Sequence, residues 1–255
     1  MKSKILLAAL SIFLFSALHA QVFISKAKIE YEVKTNIQKT IPNFFFANML
    51  KDQLPQFKTG YYDYTFAGNK SVYKFDHWSD ESRKIPDWFK REDEDNIWYC
   101  DFSTGILNMQ KNVGSQVNIQ DSLQNLQWRI TNDTRVIAGF NCRKAFTIIF
   151  DSVYVFAFYT DEIMISGGPC SIHGLPGMIL GMTVPRLYSS WIATKVTVND
   201  VDAAIIKPVK ARKTYDTKFL ESAIKDNTKD WYSDDATENA EIQKQKAITL
   251  WLALL

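Results

Sequence analysis

Histidine, cysteine and glycine are scarce in this chain, and each shortage narrows what the protein can do. The 255 residues include three histidines, three cysteines and ten glycines. A structural zinc site is not expected, because no Cys-x-x-Cys spacing occurs and only His77 and His173 lie beyond the first twenty residues. Phosphate-binding glycine loops, dinucleotide fingerprints, HExxH and GxSxG motifs are also missing, so we predict no cofactor and no familiar catalytic motif.

The chain also lacks a strong net charge of either sign. The chain has 30 Lys and Arg against 28 Asp and Glu. Lys2 and Lys4 lie in the first twenty residues, which contain no acid, so the remaining chain is balanced. Without a basic patch, nucleic-acid binding is not indicated.

The first twenty residues have the pattern of a secretory signal peptide. Lys2 and Lys4 precede an apolar stretch at 5–15, and Ala17-Leu-His-Ala20 is a plausible cleavage site. The apolar stretch is short for a membrane span, so we predict cleavage after Ala20 and no transmembrane span afterwards. Residue 21 is Gln, which excludes the usual lipoprotein attachment. We predict export to the periplasm or an outer-membrane or cell-surface location, but not as a lipoprotein.

Alternating apolar residues and regular turn signals predict an antiparallel β protein. The expected architecture is mainly β: a curved sheet or half-barrel with a short helix at 43–54 and a helical C-terminal tail. We assign residues 1–20 to the signal peptide, 21–215 to the β domain and 216–255 to a tail packing on that domain. The predicted strands cover 23–33, 61–66, 71–75, 96–102, 106–113, 128–138, 141–150, 153–163, 178–184 and 188–198.

The C-terminal residues alternate at a helical spacing. Ile248, Trp251, Leu252 and Leu255 follow an i, i+3, i+4, i+7 pattern. Such an apolar stripe either docks on the sheet or contacts a partner or membrane surface, since an uncovered apolar end is a liability.

Residues 166–181 concentrate five glycines and two prolines between two apolar strands. Leu175-Pro-Gly-Met178 fits a type II turn, with Gly177 at the position that needs positive φ. The segment is interpreted as a structural corner or as a binding loop, because glycine lets a ligand approach the backbone closely. The residues of the predicted binding loop are Gly168, Pro169, His173, Gly174, Leu175, Pro176, Gly177, Met178 and Ile179.

The reactive side chains suggest few sites. An exported chain could form one disulfide among Cys100, Cys142 and Cys170, and the sequence does not choose the pair. Cys170 and His173 invite a nucleophile-and-base hypothesis, but nothing near them in sequence would activate a thiolate. His77, with Asp80 and His173, would satisfy a metal only if the fold joined distant loops, and we predict no metal site.

Aromatic side chains are abundant on the predicted strands. Packing in the core is the simpler interpretation, and an aromatic cavity for an apolar or glycan-like ligand is the alternative. The residues are Tyr61, Tyr62, Tyr64, Phe66, Tyr73, Phe75, Trp98, Tyr99, Tyr154, Phe156, Phe158 and Tyr159.

Several short motifs follow one another between residues 126 and 200. They are a tryptophan-led strand at 128–131, a Gly-Phe-x-Cys-x-Lys-Ala turn and strand at 139–145, Phe-Tyr-Thr-Asp-Glu-Ile at 158–163 and Gly174-Leu-Pro-Gly-Met-Ile179. In these motifs the chain resembles the GLPGLI family of exported proteins, which is named for the last of them. The resemblance implies a Bacteroidota source, a cell-envelope location and an unassigned biochemical role. Some relatives are encoded near TonB-dependent receptors, which suggests an outer-membrane context.

These observations favour an exported cell-envelope protein that binds a ligand or partner without catalysis. The partner is unknown; an apolar or glycan-like ligand and an outer-membrane protein are the options. Two alternatives stay open: a hydrolase with an unrecognised site near Cys170 and His173, and a structural partner of an outer-membrane complex that acts through Trp251 and Leu252.

Overall fold

A computed structural model describes residues 24–40, 54–198, 201–228 and 240–255. The chain forms one open antiparallel sheet of 11 strands with short helices, including two near the C-terminus. The predicted fold class is therefore confirmed. The predicted signal peptide and nearly all of the predicted helix at 43–54 lie outside the described residues.

The sheet consists of two meanders that meet at the first and last strands. Strands β1 to β6 pair consecutively, and so do β7 to β11. Pairing of β1 with β11 joins the two halves and gives the order β6-β5-β4-β3-β2-β1-β11-β10-β9-β8-β7. The strands are β1 Lys26–Asn36, β2 Phe57–Ala67, β3 Lys70–Trp78, β4 Ile97–Asp101, β5 Ile106–Asn112, β6 Gln116–Ser122, β7 Arg129–Ile137, β8 Phe140–Ile149, β9 Val153–Thr160, β10 Met178–Val184 and β11 Ser189–Thr197.

Residue alternation on β1 shows how the sequence selects the buried face. Ala27, Ile29, Tyr31 and Val33 are buried, and polar residues lie between them. Ile29 is opposite Val196 on one neighbour and Tyr64 on the other. Because side chains alternate along a strand, this register directs one apolar set into a shared core.

Strand β6 was not predicted. Its sequence is mostly amides and other polar residues, and only Val117 and Ile119 point into the core. Its free edge is partly paired with Tyr215, whose carbonyl oxygen accepts from the Gln120 amide and whose amide donates to the Asn118 carbonyl. Two apolar positions were too few for a strand signal in the sequence alone.

The described ranges contain four α-helices that border the sheet: α1 Ile37–Thr40, α2 Arg91–Asp95, α3 Thr217–Thr228 and α4 Ala240–Leu254. Leu220 and Ile224 of α3 and Ile248 of α4 belong to the main core, as does Leu255. The indole nitrogen of Trp98 on β4 donates a hydrogen bond to the Leu255 carbonyl oxygen at 3.1 Å. The end of the chain therefore packs on the core face of the sheet. In the described ranges, no helix has the length and apolar character needed to cross a membrane.

Candidate functional site

The glycine-rich segment connects β9 to β10 and packs against the core face of the sheet. Ile163, Ile172 and Leu175 are among the residues of the main core. A side chain at Gly167 would lie 2.3 Å from the Tyr64 hydroxyl oxygen. Most of the segment is therefore interior structure, covering strands that would otherwise expose aromatic rings.

Gly177 is required by a close backbone contact. Its φ is 146°, and a Cβ there would lie 2.0 Å from the Thr160 carbonyl oxygen. The Gly177 amide donates to the Leu175 carbonyl at 2.8 Å, which is the i to i+2 hydrogen bond of a γ-turn about Pro176. The φ is also far from the value near 80° that a type II turn uses. The chain thus turns more tightly here than the sequence predicts.

The structure divides the nine residues of the predicted binding loop into two groups. His173, Gly174 and Pro176 reach the surface. The Trp128 indole donates to the His173 carbonyl at 2.8 Å, and Ser166 Oγ accepts from the Gly174 amide at 2.8 Å. The other six are buried: Gly168, Pro169, Leu175, Gly177, Met178 and Ile179.

The three cysteines are free and buried, and no disulfide joins them in the structure. Burial raises the pKa of the Cys100 and Cys170 thiols to about 12 and that of Cys142 to about 11. His173 Nδ1 lies 2.9 Å from the Ser171 carbonyl oxygen, and no hydrogen bond joins the ring to Cys170. This arrangement does not support the hydrolase hypothesis at Cys170 and His173, because a thiol needs a lowered pKa and a base to act as a nucleophile.

The other proposed ligand residues do not converge. His77 contacts Asp76 at 2.7 Å and stacks on Tyr61, with ring centroids 4.6 Å apart. Asp80 pairs with Arg83 at 3.0 Å. Among the described residues, no group of three His, Cys, Asp or Glu side chains could hold a metal ion.

The rings of the first meander form the core. Tyr31 meets Tyr64 and Tyr73 edge-on, at centroid distances of 6.4 and 6.3 Å. Tyr73 packs on Trp98 at 5.3 Å, and the Lys111 ammonium lies 4.4 Å from the Trp98 centroid. Ring packing thus fills this face of the first meander.

A groove of about 630 Å³ opens on the second meander. The β7–β8 ladder ends at the pair Arg129–Phe146, whereas β8 continues to Ile149. The incoming segment 124–127 runs beside this part of β8, fixed by a 2.8 Å hydrogen bond from Thr147 Oγ1 to the Gln127 carbonyl. We call it the β8 groove; it is lined by Gln124, Asn125, Leu126, Gln127, Arg129, Phe146, Thr147, Ile148, Ile149, Phe150, Asp151 and Tyr154.

Aromatic rings form one wall of the β8 groove. The β8–β9 register places Phe146 opposite Phe156 and Ile148 opposite Tyr154 on one face. The centroids of Phe146, Tyr154 and Phe156 are 6.1–6.2 Å apart, and the Tyr154 and Phe156 planes differ by 15°. Tyr154 is 48% exposed and Ile148 46% exposed, so this wall is open to a ligand.

A smaller groove of about 400 Å³ lies on the outer face of the first meander. Its floor contains Val72 and Ile97, and its rim carries Lys74, Lys207 and Lys210. It lacks an aromatic wall and is strongly basic, so it differs in chemistry from the β8 groove.

A family model described as "N-glycanase peptide, N-terminal domain" matches residues 93–230, which is more than half of the chain. The chain belongs to this N-glycanase N-terminal domain family. The matched residues extend from α2 to the end of α3 and contain the whole β8 groove. No curated protein matches the sequence.

Crystal structures of PNGF-II share the fold of this N-glycanase family member. The forms in space groups C2 and P21 each superpose with a TM-score of 0.52, at 15% and 16% sequence identity over 79% and 80% of this chain. The chain spans about a third of their length, 33% and 34%.

Family membership corrects two predictions. The assignment to the GLPGLI family is wrong, and the Bacteroidota source and outer-membrane context that it implied lose their support. That assignment relied on several short motifs between residues 128 and 179, and strand packing and turn geometry can require such motifs in other families as well. The predicted function, a ligand- or partner-binding protein of unassigned role, is also wrong, because the chain is homologous to the N-terminal domain of an N-glycanase. The alternative of a structural partner that acts through Trp251 and Leu252 also loses its support, because both side chains pack against the core.

Sequence reasoning missed the β8 groove, although part of its signal was visible. Tyr154 and Phe156 alternate on a predicted strand, so they had to share a face. Phe146 joins them only through the cross-strand register, and segment 124–127 only through its path beside β8. Neither relation can be inferred from spacing along the chain.

Proposed function

We propose that this chain has a glycan-related role, as the N-terminal domain of an N-glycanase-type protein that acts on N-glycosylated polypeptides. Membership of the N-glycanase N-terminal domain family is the observation that carries this proposal. The fold shared with PNGF-II over about four-fifths of the chain supports it. The chain covers a third of that protein, so the activity of a whole N-glycanase is part of the proposal.

We also propose that the protein is exported. N-glycosylated polypeptides are found mainly outside cells or on their surfaces, and residues 1–20 have the pattern of a cleavable signal peptide. Mass spectrometry of the protein from its native cells tests this proposal. An N-terminus at Gln21 is expected, and a chain that retains Met1 in the cytoplasm would contradict export.

The glycan-related role is tested with one matched pair of substrates. One is a glycoprotein with a single N-linked glycan, and the other is the same polypeptide with Gln in place of the glycosylated Asn. Binding of the full chain to each is measured by biolayer interferometry, and glycan release is followed by mass spectrometry. We expect a response that depends on the glycan. Equal binding to both polypeptides without any release would overturn the proposal.

A further inference from the structure

We propose that the β8 groove is a glycan-binding subsite, and that it takes a short neutral oligosaccharide whose sugar rings lie against Tyr154 and Phe146. This inference rests on the proposed function and deepens it by naming the site and the ligand class. Four observations carry it: the aromatic wall, the polar side chains around it, their charge balance, and the contrast with the basic groove.

The aromatic wall suits the apolar face of a pyranose ring. One face of a sugar ring exposes mainly C–H groups, which pack on the electron-rich face of an aromatic side chain. Tyr154 remains 48% exposed, although it lies beside Phe146 at 6.2 Å. An exposed cluster of large apolar side chains on a soluble domain commonly marks a binding surface.

The polar side chains around the wall have unused hydrogen-bonding capacity. Within the described part of the chain, the side chains of Gln124, Asn125, Gln127, Arg129 and Asp151 form no hydrogen bond or ion pair with other protein groups. Each amide both donates and accepts, Arg129 donates, and the Asp151 carboxylate accepts. This mixture matches sugar hydroxyl groups, which also donate and accept.

The charge of the β8 groove favours a neutral ligand. Arg129 and Asp151 are its only ionisable side chains apart from Tyr154, and their charges cancel. Among the described residues that line it, the basic groove carries Lys74, Lys207 and Lys210 and no matching acid, so it would instead favour anions. At about 630 Å³, the β8 groove also lies within the usual range of ligand sites, which is about 300–1,000 Å³.

Binding is measured by isothermal titration calorimetry on the full chain. The probe is the free pentasaccharide core common to N-linked glycans, and sialic acid serves as a small anionic sugar for comparison. We expect the core to bind and Tyr154→Ala to weaken it by roughly tenfold or more, because the main stacking surface is lost. Tyr154→Phe keeps the ring and should bind nearly as wild type. Tyr61→Ala is the matched control, since Tyr61 is a partly exposed tyrosine on the outer face of β2.

Saturation-transfer NMR supplies a second readout, in which irradiation of aromatic protons should saturate sugar C–H protons in wild type and not in Tyr154→Ala. If the core binds equally well to wild type and Tyr154→Ala, the groove assignment is overturned. The glycan-related role then still stands. If the core does not bind and the glycosylated polypeptide also fails to bind or react, both proposals are overturned. Binding of sialic acid alone would likewise contradict a neutral subsite.

Discussion

Two groups of aromatic side chains occupy the two meanders of this sheet and have opposite environments. Tyr31, Tyr64 and Tyr73 in the first meander are at most 1% exposed and pack edge-to-face within the core. Phe146, Tyr154 and Phe156 in the second meander are partly exposed and lie side by side, and Phe146 and Tyr154 line the β8 groove. Residues of the same type thus stabilise the fold in one half and are available to a ligand in the other.

The difference arises from what covers each face. The glycine-rich segment and helices α3 and α4 contribute Leu175, Leu220 and Ile248 to the same main core as the rings of the first group. No such cover lies on the Tyr154 face in the described ranges, where segment 124–127 forms only one side of the groove. Aromatic content alone therefore says little about function; the covering elements decide it.

The largest effect is expected for Tyr31→Ala. Removing a fully buried ring leaves a cavity and should lower the free energy of unfolding by about 3–5 kcal/mol. Tyr31→Phe keeps the ring and removes only the hydroxyl, which donates a hydrogen bond to the Ile179 carbonyl at 2.6 Å. This variant should lower the free energy of unfolding by only about 1–2 kcal/mol. Urea unfolding followed by tryptophan fluorescence measures both. A loss below that of Tyr31→Phe would mean that the ring is not part of the core.

Gly177→Ala, in the glycine-rich segment, should lower the free energy of unfolding by roughly 3 kcal/mol. The new Cβ would collide with the Thr160 carbonyl, and an alanine would be strained in this backbone conformation. Gly105→Ala is the control: its φ is 69°, but its Cβ would meet nothing within 4 Å, so about 1 kcal/mol is expected. Chemical unfolding of the two variants measures the difference. Equal losses would show that positive φ, and not the close contact, accounts for the effect.

Lys111, which is buried beside the first group of rings, makes the free energy of unfolding depend on pH. Burial lowers the pKa of Lys111 from 10.5 to about 8, so the folded protein releases this proton at a lower pH than the unfolded chain does. Between about pH 8 and pH 10.5 the unfolded state binds more protons, and this residue makes stability rise with pH; below pH 8 its destabilising effect is complete.

Lys111→Met should therefore be more stable than wild type at neutral pH by up to a few kcal/mol, and this difference should shrink as the pH rises towards about 10. Comparing the two proteins at each pH cancels the titration of the buried thiols and tyrosines. Unfolding curves across this range provide the measurement. A difference that stayed constant with pH would contradict a buried, readily deprotonated lysine.

The smallest effect on stability is expected for Tyr154→Ala, which should change the free energy of unfolding by no more than about 0.5 kcal/mol, because the side chain is half-exposed. The same urea titration used for Tyr31→Ala gives a direct comparison of the two groups. A loss above about 2 kcal/mol would show that the groove wall is part of the folded core, and the contrast between the meanders would fail.

Much of the fold could be predicted, and little of the candidate site. Ten of the strands were expected near their observed bounds because alternation and turn residues are local signals. Strand β6 was missed because its sequence is largely polar and it is recognised by its partner β5. The glycine content of segment 166–181 suggested a binding loop, yet six of the nine residues predicted to bind are buried.

By itself, the sequence determined the antiparallel fold class and most of the turn positions. These properties depend on neighbours along the chain: side chains alternate on a strand, and backbone strain is local. Only the tertiary structure decided which aromatic face is covered and where a groove opens. Those outcomes depend on Phe146 meeting Phe156 across a ladder, on segment 124–127 passing beside β8, and on helices α3 and α4 joining the main core. Such contacts join residues far apart in sequence, and no local pattern encodes them.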